Sequence, residues 1–283
     1  MLQGTPVRAR RSLRDAVGAM RNADLSDSMS WALASLSQAE ALCGDATAAR
    51  RALQESRRPR GVARCAADFA LAEALTEMVG GNLTRAGQIC LDAAAAYPHL
   101  RLQAATLLHY SVRLGAPPAR VLPRLAAIAD AVECSLPRLQ LDHVRALAAH
   151  DGAALESVAD RFDRLGLWLC AAEAAAQAAL AERRAGRPAA ARARMRSQSL
   201  AARCDGVRTP MLAVPEDLPA LSRREREVAM LAGAGLSNAH IAQRLALSPR
   251  TVESHLYQAF AKLGVQHREE LAPVFGILPS KDQ

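Results

Sequence analysis

Apolar positions recur at i, i+3, i+4 and i+7 along almost the whole chain, and no stretch has the strict apolar and polar alternation of a half-buried strand. The pattern predicts an all-α protein. Short glycine-containing turns punctuate it at Gly44, Gly81, Gly115, Gly152 and Gly186, at intervals of 37, 34, 37 and 34 residues. Each turn follows a candidate helix, at 30–43, 64–79, 100–114, 137–150 and 168–185. Second helices follow the turns, reading ATAARRALQES after Asp45, LTRAGQICLDAAAAY after Asn82 and AALESVADRF after Gly152. Glycine suits the left-handed position that ends a helix, and Pro117 or Pro188 is tolerated in the first turn of the next one. Residues 5–22 read as half of a further pair.

A repeat of two helices with this period resembles the tetratricopeptide class of helical solenoid. The resemblance is in the period, because Ala and Leu replace most of that class's large aromatic residues. An ordinary bundle of Ala-rich helical hairpins would produce turns at similar intervals. Solenoids commonly offer a concave surface, so residues 1–204 are expected to be a sensor or interaction module whose effector is a protein or a small molecule. Residues 205–220, DGVRTPMLAVPEDLPA, contain three prolines and no helical period, and are expected to be a semi-rigid linker.

A third region, 221–283, starts with clear helix signals. Ser222 followed by Glu225 three residues later is a capping box, and the helix it opens buries Val228, Leu231 and Ala232. Gly233 and Gly235 close that helix. Ser237 caps a second one that buries Ile241, Ala242 and Leu245, and a tight turn through Ala246 and Leu247 leads to Ser248 and Pro249. The third helix, about 249–263, places Val252, Leu256, Ala259, Phe260 and Leu263 on one side at 100 degrees per residue. Arg250, Ser254, Tyr257 and Ala261 point away from that side, with Glu253 and Gln258 on the flanks. Two short helices joined by a tight turn are the geometry of a helix-turn-helix, whose second helix enters the DNA major groove.

The 51 residues from Leu221 to Leu271 resemble the C-terminal DNA-binding domain of the LuxR/FixJ family: LSRREREV at the start, GLSNAHIAQRL in the middle, and LSPRTVESH, KLGV and REEL at the end. The resemblance implies a four-helix domain and a transcriptional regulator that binds double-stranded DNA. It implies base-reaching roles for Glu253, Ser254 and Tyr257, and phosphate-facing roles for Arg250, Thr251 and Lys262. It also implies that a fourth helix, about 267–277, pairs two copies into a homodimer through Leu271, Val274, Phe275 and Leu278. His240, Ala229 and Ala261 depart from the usual acidic, Leu and basic residues, and the last removes a potential phosphate contact. Glu253 brings a negative charge toward DNA; it could accept from a cytosine amino group or pair with Arg250.

Composition narrows the remaining classes. The net charge is +8, but from Asp217 onward eight Lys or Arg face seven Asp or Glu, so this region carries only +1 and residues 1–216 carry +7. Total charge therefore gives no argument for DNA binding; local placement does. Cys43, Cys65, Cys90, Cys134, Cys170 and Cys204 are scattered singly, which excludes zinc-ligand spacing and suggests small buried apolar residues. His143 and His150, seven apart on one helix, are expected at the surface or its boundary. No phosphate loop, nucleophile elbow or HExxH pair occurs, so neither an enzyme nor a cofactor is expected. Without a signal peptide or long apolar run, the chain reads as cytoplasmic and without membrane contact.

Neither a phosphorylated receiver nor an acyl-homoserine-lactone sensor fits the first region. The chain resembles the C-terminal part of large LuxR regulators that place helical repeats after an ATPase, here without the ATPase. The alternative is a protein-interaction scaffold with a vestigial DNA-binding domain.

Overall fold

The computed structural model describes residues 4–22, 28–56, 65–212 and 221–275, and among these no strand occurs. The chain divides into two compact units, the first holding Met1–Val79 and Thr84–Leu212 and the second Gly80–Leu83 and Ala213–Gln283. Among the described residues no helix is long and apolar enough to cross a membrane.

The first unit opens with α1 (Pro6–Asn22), which packs on α2 as a half pair would. Five helix pairs follow in chain order: α2 and α3 (Met29–Leu42, Ala46–Ser56), α4 and α5 (Ala66–Val79, Leu83–Ala96), α6 and α7 (Arg101–Arg113, Leu122–Ala131), α8 and α9 (Ser135–Ala149, Gly152–Arg164), and α10 and α11 (Trp168–Arg184, Ala189–Ala202). The turns close as the glycines led one to expect. After α2, for example, Asp45 N donates to Glu40 O and Gly44 N to Ala41 O, with Gly44 at φ +87° satisfying two otherwise orphaned carbonyls.

One turn is built differently. Gly152 is the first residue of α9, and the left-handed position belongs to His150 at φ 53°. Asp151 caps the helix, its Oδ1 accepting from Ala154 N at 3.0 Å. Glycine is needed at 152 for space: a Cβ there would lie 2.0 Å from Oε1 and 2.6 Å from Cγ of Glu182.

The two members of a pair are buried differently. α3 buries Ala48, Ala49, Ala52, Leu53 and Ser56, a single face, whereas α2 buries every residue from Ala32 to Leu42. α6 and α10 are likewise buried on all sides, from Leu107 to Arg113 and from Leu169 to Ala175. α2, α6 and α10 thus form the interior, while α8 keeps an exposed stripe at Arg138 and Arg145. Alanine makes this possible, since runs such as Ala171, Ala172, Ala174 and Ala175 let helix backbones approach closely where large side chains would hold them apart.

Polar residues on the buried faces of the first-of-pair helices must find partners inside the protein. His109, His143 and Gln177 stand 34 residues apart on α6, α8 and α10 and form a ladder: His109 Nε2 to His143 Nδ1 at 2.8 Å, and His143 Nε2 to Gln177 Oε1 at 2.7 Å. The amide oxygen can only accept, so His143 carries its proton on Nε2 and accepts at Nδ1 from His109, leaving both rings neutral. Burial pushes the pKa of His143 down to about 4, and burial together with neighbouring His143 and Arg113 holds His109 well below its ordinary value. Phe162 from α9 packs against both rings. Beside the ladder Arg113 Nε donates to Glu173 at 2.6 Å, both side chains only 4% exposed. The expectation of a surface His143 is therefore overturned. Cys90, Cys170 and Cys204 are buried as expected, but Cys134 is exposed and Cys43 and Cys65 are half-buried.

The ends of the first unit meet. Asp205 accepts from Val7 N and Arg8 N at 3.0 and 2.9 Å, capping α1, while its own N–H donates to Gly4 O and Arg208 N donates to Leu42 O. Gly4 is required here because a Cβ would lie 2.5 Å from Cys204 Sγ. Residues 205–212, expected as linker, are thus tied to the start of the unit, and Leu212 packs on its core. Residues 213–220, the rest of that expected linker, lie outside the described residues.

The second unit consists of α12 (Arg223–Gly233), α13 (Asn238–Leu245), α14 (Pro249–Leu263) and, after a 3-10 turn at Arg268–Glu270, the short α15 (Leu271–Val274).

Candidate nucleic-acid interface

The second unit is organised by three serine caps. Ser222 and Glu225 exchange hydrogen bonds in a full capping box, with Ser222 N donating to Glu225 Oε2 at 2.7 Å and Glu225 N to Ser222 Oγ at 3.2 Å. Ser237 accepts from His240 N at the start of α13, and Ser248 accepts from Thr251 N at the start of α14. Between these two helices Ala246 takes the left-handed conformation at φ 53°, and Leu247 N reaches back to Ala242 O at 2.9 Å. That closure turns the chain sharply enough for α14 to cross α13 rather than extend it. Arg268 secures the remaining corner by donating to Asn238 Oδ1 and Leu236 O.

The core beneath is apolar except for the buried carboxylate of Glu227, which accepts from Arg224 at 2.8 Å. Val228, Leu231, Ala232, Ile241, Ala242, Leu245, Val252, Leu256, Ala259 and Leu263 are all buried, with Phe260 packed partly exposed against them. These are the inward positions that helical periodicity assigned, so the outward stripe of α14 lies where it was expected. Arg250, Glu253, Ser254 and Tyr257 are exposed, Tyr257 by 73%, and Gln258 and Ala261 lie beside them. Among the described residues Arg250, Glu253, Ser254 and Tyr257 have no hydrogen-bond or ion-pair partner. The pairing of Glu253 with Arg250 considered from the sequence does not occur.

Two of the residues that the resemblance assigned to phosphate have internal partners instead. The Thr251 hydroxyl lies 2.7 Å from Ser248 Oγ, within the cap of α14. Lys262 Nζ donates to both oxygens of Glu225 at 2.8 Å, so the last turn of α14 is anchored to the capping box of α12. Desolvation acts to raise the pKa of Glu225, but hydrogen bonds from Lys262 and Ser222 outweigh it and hold the carboxyl below its usual range. No local signal in the sequence marked this pairing, because the two residues stand 37 apart in the chain.

The expected dimerisation face is also partly redistributed. Leu271 is fully buried in the domain's own core, so it has no surface to offer a second copy. Val274 and Phe275 pack against that core while remaining half-buried, and Leu278 lies outside the described residues.

Comparison with known proteins converges on this unit. A family model described as bacterial regulatory proteins, luxR family, matches residues 219–275. Proteins named as HTH-type transcriptional regulators, one from Mycobacterium bovis and two from strains of Mycobacterium tuberculosis, are each 51% identical to this chain over 51 residues. That match covers 18% of this chain and only 6% of each relative's length. No solved structure matches.

Proposed function

We propose, from the luxR-family helix-turn-helix domain at residues 219–275, that this chain is a transcriptional regulator that binds specific DNA sequences with α14 in the major groove. The observation that carries the proposal is the outward stripe of α14. Four polar or aromatic side chains, Arg250, Glu253, Ser254 and Tyr257, are presented on a capped, well-packed helix without partners among the described residues. Unpaired polar groups on a rigid element are free to exchange water for base edges, which is the requirement for direct readout. Arg250 is the residue of the stripe best suited to phosphate or to guanine. Thr251 and Lys262 serve DNA binding indirectly, by fixing the two ends of the helix.

The chain acts as a homodimer on two half-sites about one helical turn apart, with Val274 and Phe275 the described residues available to a second copy. The helical array receives the controlling signal, from a protein or a small molecule. The cavity of about 520 Å³ lined by Leu53, Phe69, Glu73, Asp92 and Tyr97 is the place in the array where such a partner could seat.

The test is a selection of bound fragments from a genomic library with the intact chain at two salt concentrations, repeated with Tyr257→Ala. Recovery of a short, roughly palindromic site, with affinity falling at higher salt, supports the reading. Binding that ignores sequence at both salts, or an unchanged site preference in the variant, overturns the placement of α14.

A further inference from the structure

Resting on that reading, we propose that Glu253 is a specificity-determining residue, accepting a hydrogen bond from the N4 amino group of a cytosine at one position in the site bound by each copy.

The stripe of α14 has little charge with which to attract DNA. Arg250 contributes one cation, Lys262 is engaged by Glu225, and Glu253 contributes an exposed carboxylate with no partner among the described residues. Glu253 lies one turn into the helix, exposed on the flank of the outward stripe at a level between Arg250 and Tyr257. At that point a carboxylate is repelled by phosphates and is acceptor-only when ionised, so an interface that covers it must supply a donor or leave a charge unsolvated. The major groove limits the choice. Guanine presents two acceptors, and thymine an acceptor and a methyl group. Adenine has a donor amino group, but N7 beside it faces the second carboxylate oxygen. Cytosine alone presents its amino group with no acceptor on the same base. The carboxylate therefore selects by exclusion: three bases cost it an unpaired or repelled charge, and one satisfies it.

Neutral substitution separates this role from a passive one because the two act in opposite directions. Removing the carboxylate removes a repulsion from phosphate, which strengthens nonspecific binding, and also removes the discrimination, which weakens preference. Site selection with the intact chain and with Glu253→Gln and Glu253→Ala, followed by titration of single-base variants of the recovered site, tests it. Circular dichroism serves as the check that all three proteins fold.

The original chain is expected to enrich cytosine at one position per bound copy, and to lose affinity by about 5- to 150-fold when that base alone is changed. With Glu253→Gln the same position is expected to shift toward adenine, whose N6 and N7 match a carboxamide. With Glu253→Ala it becomes indifferent, while binding to unrelated DNA tightens in both variants. An enriched site whose base preferences are the same in all three proteins overturns the proposal and leaves sequence-specific binding intact. Failure of the original chain to enrich any site overturns both.

Discussion

The array and the helix-turn-helix domain place polar side chains in opposite ways. In the array the interior helices turn His109, His143, Gln177, Arg113 and Glu173 inward, and each is held by at least one other member of the group. In the second unit the core is apolar but for Glu227, which Arg224 holds, the caps consume Ser222, Ser237 and Ser248, and among the described residues the outward stripe of α14 is left without partners. Partnered buried groups specify and hold a packing arrangement; unpartnered exposed groups on a rigid helix are available to a ligand. A residue's chemistry therefore says less about function than the direction in which its helix is packed.

Breaking the buried ion pair should give the largest effect. Glu173→Ala leaves Arg113 charged and buried, and is expected to destabilise the array by about 3–5 kcal/mol, whereas replacing both partners with apolar residues of similar volume should recover much of that loss. Trp31 and Trp168, the only tryptophans, both lie in the array, so urea unfolding followed by tryptophan fluorescence reads this unit alone. Equal destabilisation by the single and double replacements would show that packing, not charge, is at issue.

Acid should produce the next largest effect. With His143 pushed down to about 4 in the folded array, an unfolded chain takes up a proton below its ordinary value near 6.5 that the folded chain does not. Stability is complete above pH 6.5 and falls as pH drops, by about 2 kcal/mol at pH 5 and about 3 kcal/mol at pH 4, with His109 adding in the same direction. A His143→Gln chain should lack the His143 share of this decline. A pH dependence between 6.5 and 5 that is the same in both would remove the ladder from the account.

On the other side of the comparison, Tyr257→Ala should leave thermal stability within about 0.5 kcal/mol, since the side chain is 73% exposed. Its affinity for the selected DNA should nevertheless fall by about tenfold or more. A marked loss of stability would mean that the outward stripe contributes to folding.

Much of the second unit was legible in the sequence because it is governed by local rules. A serine whose hydroxyl oxygen accepts from the N–H three residues on, a proline in a first turn and apolar residues at 3.6-residue spacing are decided within one or two turns of helix. They located three helices, their caps and the outward face of α14, including Arg250, Glu253, Ser254 and Tyr257. The alternation of helix and turn in the array was legible for the same reason, down to the order of its pairs.

What the tertiary structure alone decided depends on residues far apart in the chain. That His143 is buried follows from its being flanked by α6 and α10, and nothing within α8 marks it as different from a surface histidine. That Lys262 holds Glu225 instead of facing outward depends on a partner 37 residues away. The family resemblance made Leu271 an interface residue, yet it is fully buried in the core of its own domain. Residues 205–212 have the composition of a linker, but Asp205 finds two free N–H groups at the start of α1. Periodicity reports which face of a helix avoids water, but not whether a neighbour covers the other face, because that depends on contacts formed only when the chain has closed on itself.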